Sequence, residues 1–216
     1  MPEKKHGPAP VTVVARFVLT DRHKQDTEAF EEAFDGYREY MTTQHGFLRT
    51  SLLRSPDHSD RHVIVTEWRD NSAYKAAVMV PDFLLLTAAG LMELADLDND
   101  HGPVLASARV SEAEAEAEAE AEAAGAVGDG VGLYCVVTSH EPGDEAPLLA
   151  RLEAASRREG FVSGSVVASD RRKGGCVSLM CLRDTEAARA AGEGPDEEIY
   201  EVIAEASMDG AASRAA

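Results

Sequence analysis

Apolar positions recur every second residue in some stretches of the chain and every third or fourth in others, and these stretches alternate in the same order twice. VTVVARFVLT (11–20) is β-branched and reads as a strand. In TEAFEEAFDGYREYMTTQHG (27–46), Phe30, Phe34, Tyr37 and Met41 fall at i, i+4, i+7 and i+11, the stripe of an amphipathic helix. Thr27 is its expected N-cap and Gly46 its C′ residue. FLRTSLLRS (47–55) and HVIVTEWRD (62–70) are the next two strands, joined as a hairpin by the turn-rich PDHSDR. Asn71 or Ser72 then caps a long helical region expected to run to about Leu97 and to break in two at Pro81. HGPVLASARV (101–110) closes the series as a fourth strand. The second series runs VGLYCVVTS, APLLARLEAASRREG, FVSGSVVAS, GCVSLMCL, TEAARAAG and EEIYEVIAEAS. Each series is β-α-β-β-α-β, the ferredoxin-like order.

The two series are also alike residue by residue. At a constant offset of 114, Gly46-Phe-Leu-Arg-Thr-Ser-Leu-Leu-Arg-Ser meets Gly160-Phe-Val-Ser-Gly-Ser-Val-Val-Ala-Ser, and His62–Asp70 meets Cys176–Asp184. A shared, ungapped offset across two strands indicates a degenerate internal duplication. Between the copies lies SEAEAEAEAEAEAAGAVGDG (111–130). Its alternation is formally strand-like, but Ala and Glu are poor strand formers, and its glutamates repel at i,i+4 in a helix. It reads as a solvated, self-repelling linker. The expected organisation is therefore a domain over 1–110, a linker over 111–130 and a second domain over 131–216. Each ferredoxin-like sheet carries helices on one face only. The expectation is an α+β protein whose two units pack sheet against sheet as an intramolecular dimeric α+β barrel, the linker acting as the crossing strap.

Net charge is −18, and both domains and the linker are each acidic, which argues against a nucleic-acid partner. No apolar run reaches a membrane span, the stretch near 78–91 being interrupted by Pro81 and Asp82. MPEKKHGPAP lacks the apolar centre of a signal peptide, so a cytoplasmic location is expected. The three cysteines, Cys135, Cys176 and Cys181, lie in apolar strand-like runs and read as buried reduced thiols, with no disulfide and no metal site. No G-x-G-x-x-G motif opens a helix, which argues against a Rossmann-bound cofactor.

Candidate chemistry gathers on the third strand. His62, Ile64, Thr66 and Trp68 share one face. Trp68 is the sole tryptophan and reads either as a core aromatic or as a pocket wall. Tyr74, in the first turn of the next helix, can close over the same space. His62 is the leading acid/base candidate by residue type, against the alternative of a surface histidine at a hairpin end. His45 and His101 are weaker candidates. Arg16 and Glu67 are expected to form a structural ion pair. The segment 76–97, rich in Leu and Met and carrying Phe83, reads as core helix and as the wall or lid of an apolar site.

The string T-E-W-R-D-N-S-A-Y-K-A-A (66–77) resembles the E-x-W…A-x-x-A signature of the antibiotic biosynthesis monooxygenase superfamily, over most of 11–110 and more weakly over 131–207. Tandem-copy members resembling this chain include anthrone oxygenases and the ring-opening oxygenases of angucycline pathways. The resemblance implies oxygenation of an electron-rich polycyclic phenol by O₂ with no metal, heme or bound flavin. Diffusible reduced flavin would serve at most as an external reductant of the substrate. It also implies that Trp68 and Tyr74 are the pocket tryptophan and tyrosine; His62, on the Trp68 face, is the third candidate catalytic residue by residue type, and Tyr37, His45, Ile64, Thr66 and Phe83 are candidate substrate contacts. Two departures stand out. Ile64 occupies the position where the family places an asparagine, and no histidine lies between Trp68 and His101, which disfavours the heme-degrading branch. The second copy has Leu182 for Trp68, Ala188 for Tyr74 and Cys176 for His62, as expected of a structural partner. The alternatives on this fold are a non-oxidative polyketide cyclase and a non-catalytic carrier of a polyketide intermediate; association of two such chains as a homodimer is a further expectation.

Overall fold

The computed structural model describes residues 9–110, 131–191, 198–208 and 210–214; the acidic linker and the strap expected of it lie outside the described residues. The chain divides into two compact units, one of Met1–Val104 with Ile203–Ala216, the other of Leu105–Val202.

In the first unit β1 (Val11–Leu19), β2 (Phe47–Arg54), β3 (Arg61–Trp68) and residues 95–104 of β4 (Ala95–Arg109) form an antiparallel sheet in the order β2-β3-β1-β4. Helix α1 (Thr27–Thr42) lays Phe30, Phe34, Tyr37 and Met41 onto one face. The long helical region resolves into three pieces rather than two: α2 (Asn71–Val78), α3 (Pro81–Ala89) and α4 (Leu91–Leu94). Pro81 sits in the first turn of α3, where its missing N–H costs nothing, and Gly90 separates α3 from α4. The helix does not reach Leu97. The backbone is already extended at Ala95, which pairs with Leu19 of β1, so ladder pairing overrides the local helical pattern. Residues 203–207 of β8 (Glu198–Ser207) complete this unit; the Ser51 hydroxyl donates to Glu205 at 2.9 Å, and the Met208 N–H to the Leu48 carbonyl at 3.1 Å.

Two caps fall one residue earlier than expected. Asp26, not Thr27, occupies the N-cap of α1; its carboxylate makes no capping bond and instead meets the His23 Nδ1 at 3.0 Å. Asp70 caps α2 by accepting from the Ala73 N–H at 2.8 Å, in place of Asn71 or Ser72. Gly46 lies beyond the end of α1 with φ 82°, and an added Cβ there would come within 2.6 Å of the Ala73 Cβ. Only glycine fits that close approach at that φ.

The second unit repeats these details. Residues 105–109 of β4 lead into the Val110 N–H, which donates to the Val162 carbonyl. The sheet order is β6 (Phe161–Ala168), β7 (Cys176–Asp184), β5 (Val131–His140), β8, with helices α5 (Glu145–Ala155) and α6 (Thr185–Ala191). Gly160 has φ 77°, and its carbonyl accepts from Arg183 as that of Gly46 accepts from Arg69. The Asp184 carboxylate caps Ala187 as Asp70 caps Ala73. Both copies show a register shift just after the glycine-phenylalanine pair. The 114-residue offset is thus a repeat of backbone devices as well as of residue types. A short β9 (Gly210–Arg214) pairs with β8 and has no counterpart in the expected plan.

The cysteine reading is corrected. Cys135 and Cys181 stand directly opposite each other on β5 and β7, with Cα atoms 4.1 Å apart, and are disulfide-bonded. Cys176 alone is a free thiol; burial pushes its pKa up. Among the described residues no single helix is long and apolar enough to cross a membrane.

Candidate functional site

The helix-covered face of the first sheet is arranged in rows set by its registers. Trp68 and Pro103 flank Val11; Thr66 and His101 flank Val13; Ile64 and Asn99 flank Ala15; His62 and Leu97 flank Phe17. Directly opposed residues of antiparallel strands project to the same side, so these rows form one floor. α1 crosses part of it, and α2, α3 and α4 enclose the remainder.

What stays open is a cavity of about 480 Å³, within the range of small-molecule sites. Its floor is Val13, Ala15, Phe17, Ile64, Trp68, Leu97 and Asn99, and Tyr37 and Met41 enter from α1. Tyr74, Val78, Phe83, Thr87 and Leu91 form the helical wall. Met79, Leu84 and Met92 also line it while being 75%, 58% and 51% exposed; they form an apolar rim at its mouth. No lining residue is Asp, Glu, Lys, Arg or His.

Two aromatic groups contribute to its lining. Trp68 packs edge-on against Phe47 at 5.9 Å and meets Tyr74 at 6.2 Å, and Tyr74 in turn meets His101 at 5.1 Å. Phe83 lies 6.3 Å from Tyr37 and 5.8 Å from Tyr40. The Tyr40 hydroxyl donates to the Ala77 carbonyl at 2.8 Å, tying α1 to the end of α2. The Tyr37 hydroxyl is 2.9 Å from the Thr66 hydroxyl, itself 3.0 Å from that of Thr50. Burial pushes the Tyr37 phenol well above its ordinary pKa, so it stays a neutral partner in this chain of hydroxyls. The Thr87 hydroxyl donates back to the Phe83 carbonyl at 2.9 Å.

The expected site residues separate into two groups. Trp68, Tyr74, Ile64, Phe83 and Tyr37 come together around the cavity. Thr66 stands behind Tyr37 as its hydrogen-bond partner, outside the lining. His45 is exposed beyond the end of α1, its Nδ1 3.2 Å from Arg69 Nη2, and is also outside the lining. His62 is not a surface histidine. It is fully buried, its ring centroid 4.6 Å from that of Phe30, and neither ring nitrogen has a hydrogen-bond partner. Desolvation, aided by the Arg54 charge, lowers its pKa to about 4, and it does not line the cavity. Glu67 pairs with Arg49 at 2.6 Å, and Arg16 stands opposite Asp98 in the β1–β4 register. Among the described residues no three His, Cys, Asp or Glu side chains are grouped to hold a metal ion.

Thr87 and Met92 belong to the segment expected to wall the site, whereas Leu97 joins the floor as strand and Asn99 lies beyond that segment. The alternation of Ala95, Leu97, Asn99 and His101 along an extended segment carries the signal for the β4 pair, and it is masked by the helical spacing of Leu91 and Leu94. In the second unit Leu182, Ala188 and Cys176, at the positions of Trp68, Tyr74 and His62, are buried parts of a packed core.

Residues 10–85, which contribute the β1 and β3 floor, α1, Trp68, Tyr74 and Phe83, match the antibiotic biosynthesis monooxygenase family. The similarity to that family is confined to this stretch of the chain. Deoxynogalonate monooxygenase of Streptomyces nogalater is 35% identical over 74 residues, 34% of this chain and 59% of the relative's own length. Two solved structures share the fold over nearly the whole chain. A Fusobacterium nucleatum protein provisionally named a monooxygenase superposes with TM-score 0.66 and 12% identity, covering 98% of this chain and all of its own. An anthrone oxidase-like protein does so with TM-score 0.62 and 13% identity, covering 96% of this chain and 97% of its own. Most of the cavity lining, Ile64 included, falls within the matched stretch, while Thr87, Leu91, Met92, Leu97 and Asn99 lie beyond it.

Proposed function

We propose that the chain is a cofactor-independent oxygenase acting with O₂ on an electron-rich polycyclic phenol of the anthrone or angucycline-hydroquinone type. The observation that carries the reading is the cavity itself: lined by Trp68, Tyr74, Phe83 and Tyr37, without a charged side chain, and formed largely by the stretch that matches the monooxygenase family. Such a space binds a flat ring system and excludes water while leaving the electrons to come from the substrate. An anthrone methylene loses a proton to give a ring-delocalised carbanion. The anion passes one electron to O₂; the radical and superoxide combine to form a C–O bond, giving a peroxide. Protonation and loss of water leave the ketone, so one oxygen atom enters the product and the other leaves as water. Trp68 and Tyr74 hold the ring, and their N–H and O–H stabilise the oxyanion as charge develops. His62 enters this reading as a core residue, being neutral near pH 7 and outside the cavity wall.

The test is oxygen uptake by chelator-treated, flavin-free protein with a panel of anthrones and pre-reduced naphthoquinones and angucycline quinones. Uptake above autoxidation that falls in Trp68→Phe and Tyr74→Phe supports the reading. Turnover without O₂ would make the protein a cyclase, binding without turnover would make it a carrier, and either overturns it.

A further inference from the structure

We propose that the Tyr37 hydroxyl donates a hydrogen bond to an oxygen on the ring of the bound aromatic ligand, and that Thr66 and Thr50 behind it fix the direction of that bond. Only the ligand class rests on the oxygenase reading; the direction follows from a count of protons.

Tyr37 Oη, Thr66 Oγ1 and Thr50 Oγ1 form a chain with links of 2.9 and 3.0 Å. Among the described residues these two links are the hydrogen bonds of the three side chains. Each hydroxyl carries one proton, so the links use two of the three and leave one over. If Tyr37 donates inward and Thr66 passes the bond on, the spare proton lies on Thr50. If Tyr37 and Thr50 both donate to Thr66, it lies on Thr66. Both threonines are buried, and a buried donor without an acceptor costs the full desolvation of that group. If instead Thr50 donates to Thr66 and Thr66 to Tyr37, the spare proton lies on Tyr37, the one member of the chain that lines the cavity. A ligand oxygen there gives the third proton its acceptor.

A phenol suits this place chemically. Burial keeps the Tyr37 hydroxyl neutral, so its proton stays available to donate. The bond it donates strengthens as the acceptor becomes an anion, and again through the bond its own oxygen accepts from Thr66. It brings no charge of its own to desolvate into a cavity whose lining holds no Asp, Glu, Lys, Arg or His. Tyr37 thereby serves the ring oxygen on which charge collects when the substrate loses its proton, and no covalent bond to it forms or breaks. The site accordingly favours a polycycle that bears a ring oxygen over the bare hydrocarbon.

The experiment is an equilibrium titration that needs no O₂ chemistry. 2-Hydroxyanthraquinone ionises near neutral pH with a change in visible absorbance, and its anion shares charge with a ring carbonyl, so a donor to either oxygen is read. It is bound to wild type, Tyr37→Phe, Thr66→Val and Thr66→Ser, and its ionisation is followed against pH. The bound phenol is expected to ionise with a constant about 10- to 100-fold larger in wild type than in Tyr37→Phe, the range for a hydrogen bond to a charged acceptor. Thr66→Val, in which Tyr37 loses the donor behind it, is expected to fall between the two, and Thr66→Ser to titrate as wild type does. Tyr74, and His101 beside it, are common to all four proteins, so the differences isolate the hydroxyl chain. Identical titrations in wild type and Tyr37→Phe would overturn the proposal, as would failure of wild type to bind the probe. Should Tyr37→Phe not fold, identical titrations in Thr66→Val and Thr66→Ser would overturn it equally. If the shift is found while wild type takes up no oxygen, the Tyr37 assignment stands and the oxygenase reading falls; if uptake is present without the shift, the assignment alone falls.

Discussion

His62 is where residue type and location disagree, and its replacement by leucine separates a proton carrier from a core side chain. In the folded chain its pKa is lowered to about 4 from the ordinary 6.5; burial against Phe30 and the positive Arg54 opposite it on β2 lower it, and Asp60 opposes them weakly. Because the folded pKa lies below the unfolded one, the unfolded chain binds the extra proton first. The stability that the neutral ring permits is therefore present above the unfolded pKa and is lost as pH falls from 6.5 toward 4. At 1.36 kcal/mol per unit, wild type loses about 1 kcal/mol by near pH 5.5 and about 3 kcal/mol near pH 4 from this group alone.

The assay is urea unfolding of wild type and His62→Leu at several pH values from about 8 down to about 5.5. Carboxylates titrate in both proteins, including Asp70, whose pKa its bond to the Ala73 N–H depresses, so the difference between the two curves isolates the histidine. At neutral pH the variant is expected to be unchanged or about 1 kcal/mol more stable, since two buried nitrogens without partners are replaced by apolar surface. Toward pH 5.5 its advantage is expected to widen by about 1 kcal/mol, and oxygen uptake is expected to survive. Parallel curves would show that His62 does not charge on unfolding, and loss of turnover in a stably folded variant would restore it as the acid/base group.

Further outcomes follow from the glycine backbone and from the cysteines. Gly46→Ala is expected to cost about 2–4 kcal/mol in urea unfolding, combining left-handed backbone strain with overpacking against the Ala73 Cβ at 2.6 Å. Gly143→Ala, with φ 103° and no atom within 4 Å of the added Cβ, is expected to cost only the backbone share, about 1–2 kcal/mol. Thiol titration in denaturant is expected to find one reactive cysteine, Cys176, before reduction and all three after it. Reduction is expected to lower stability by up to about 4 kcal/mol, the chain-entropy value for residues separated by 46 positions. Three reactive thiols at the outset would remove the Cys135–Cys181 bond.

The elements of each copy were legible because their periods are strong and the strands are β-branched. The boundary between α4 and β4 was not. Leu91, Leu94 and Leu97 continue a helical spacing, and only the ladder from Leu19–Ala95 to Val11–Pro103 makes the segment extended. That ladder is a long-range fact, and with it went Leu97 and Asn99 as floor residues. The cysteine pair failed for the same reason: 46 residues separate two side chains that the β5–β7 register sets face to face. Trp68 and Tyr74 were legible because their meeting is local, a strand end joined to a helix start through the Asp70 cap.

Periodicity states which face a side chain takes but not how deep it lies or what crosses above it. His62, Ile64, Thr66 and Trp68 share one face of β3, yet only Ile64 and Trp68 reach the cavity. The difference is made by α1, which sets Phe30 over His62 and Tyr37 beside Thr66. Phe30 and Tyr37 belong to the apolar stripe that identified the helix, so the residues that predict α1 also decide which β3 side chains can meet a ligand. The crossing point of α1 on the sheet is fixed by packing in three dimensions, and it is there that an acid/base candidate chosen by residue type becomes part of the core.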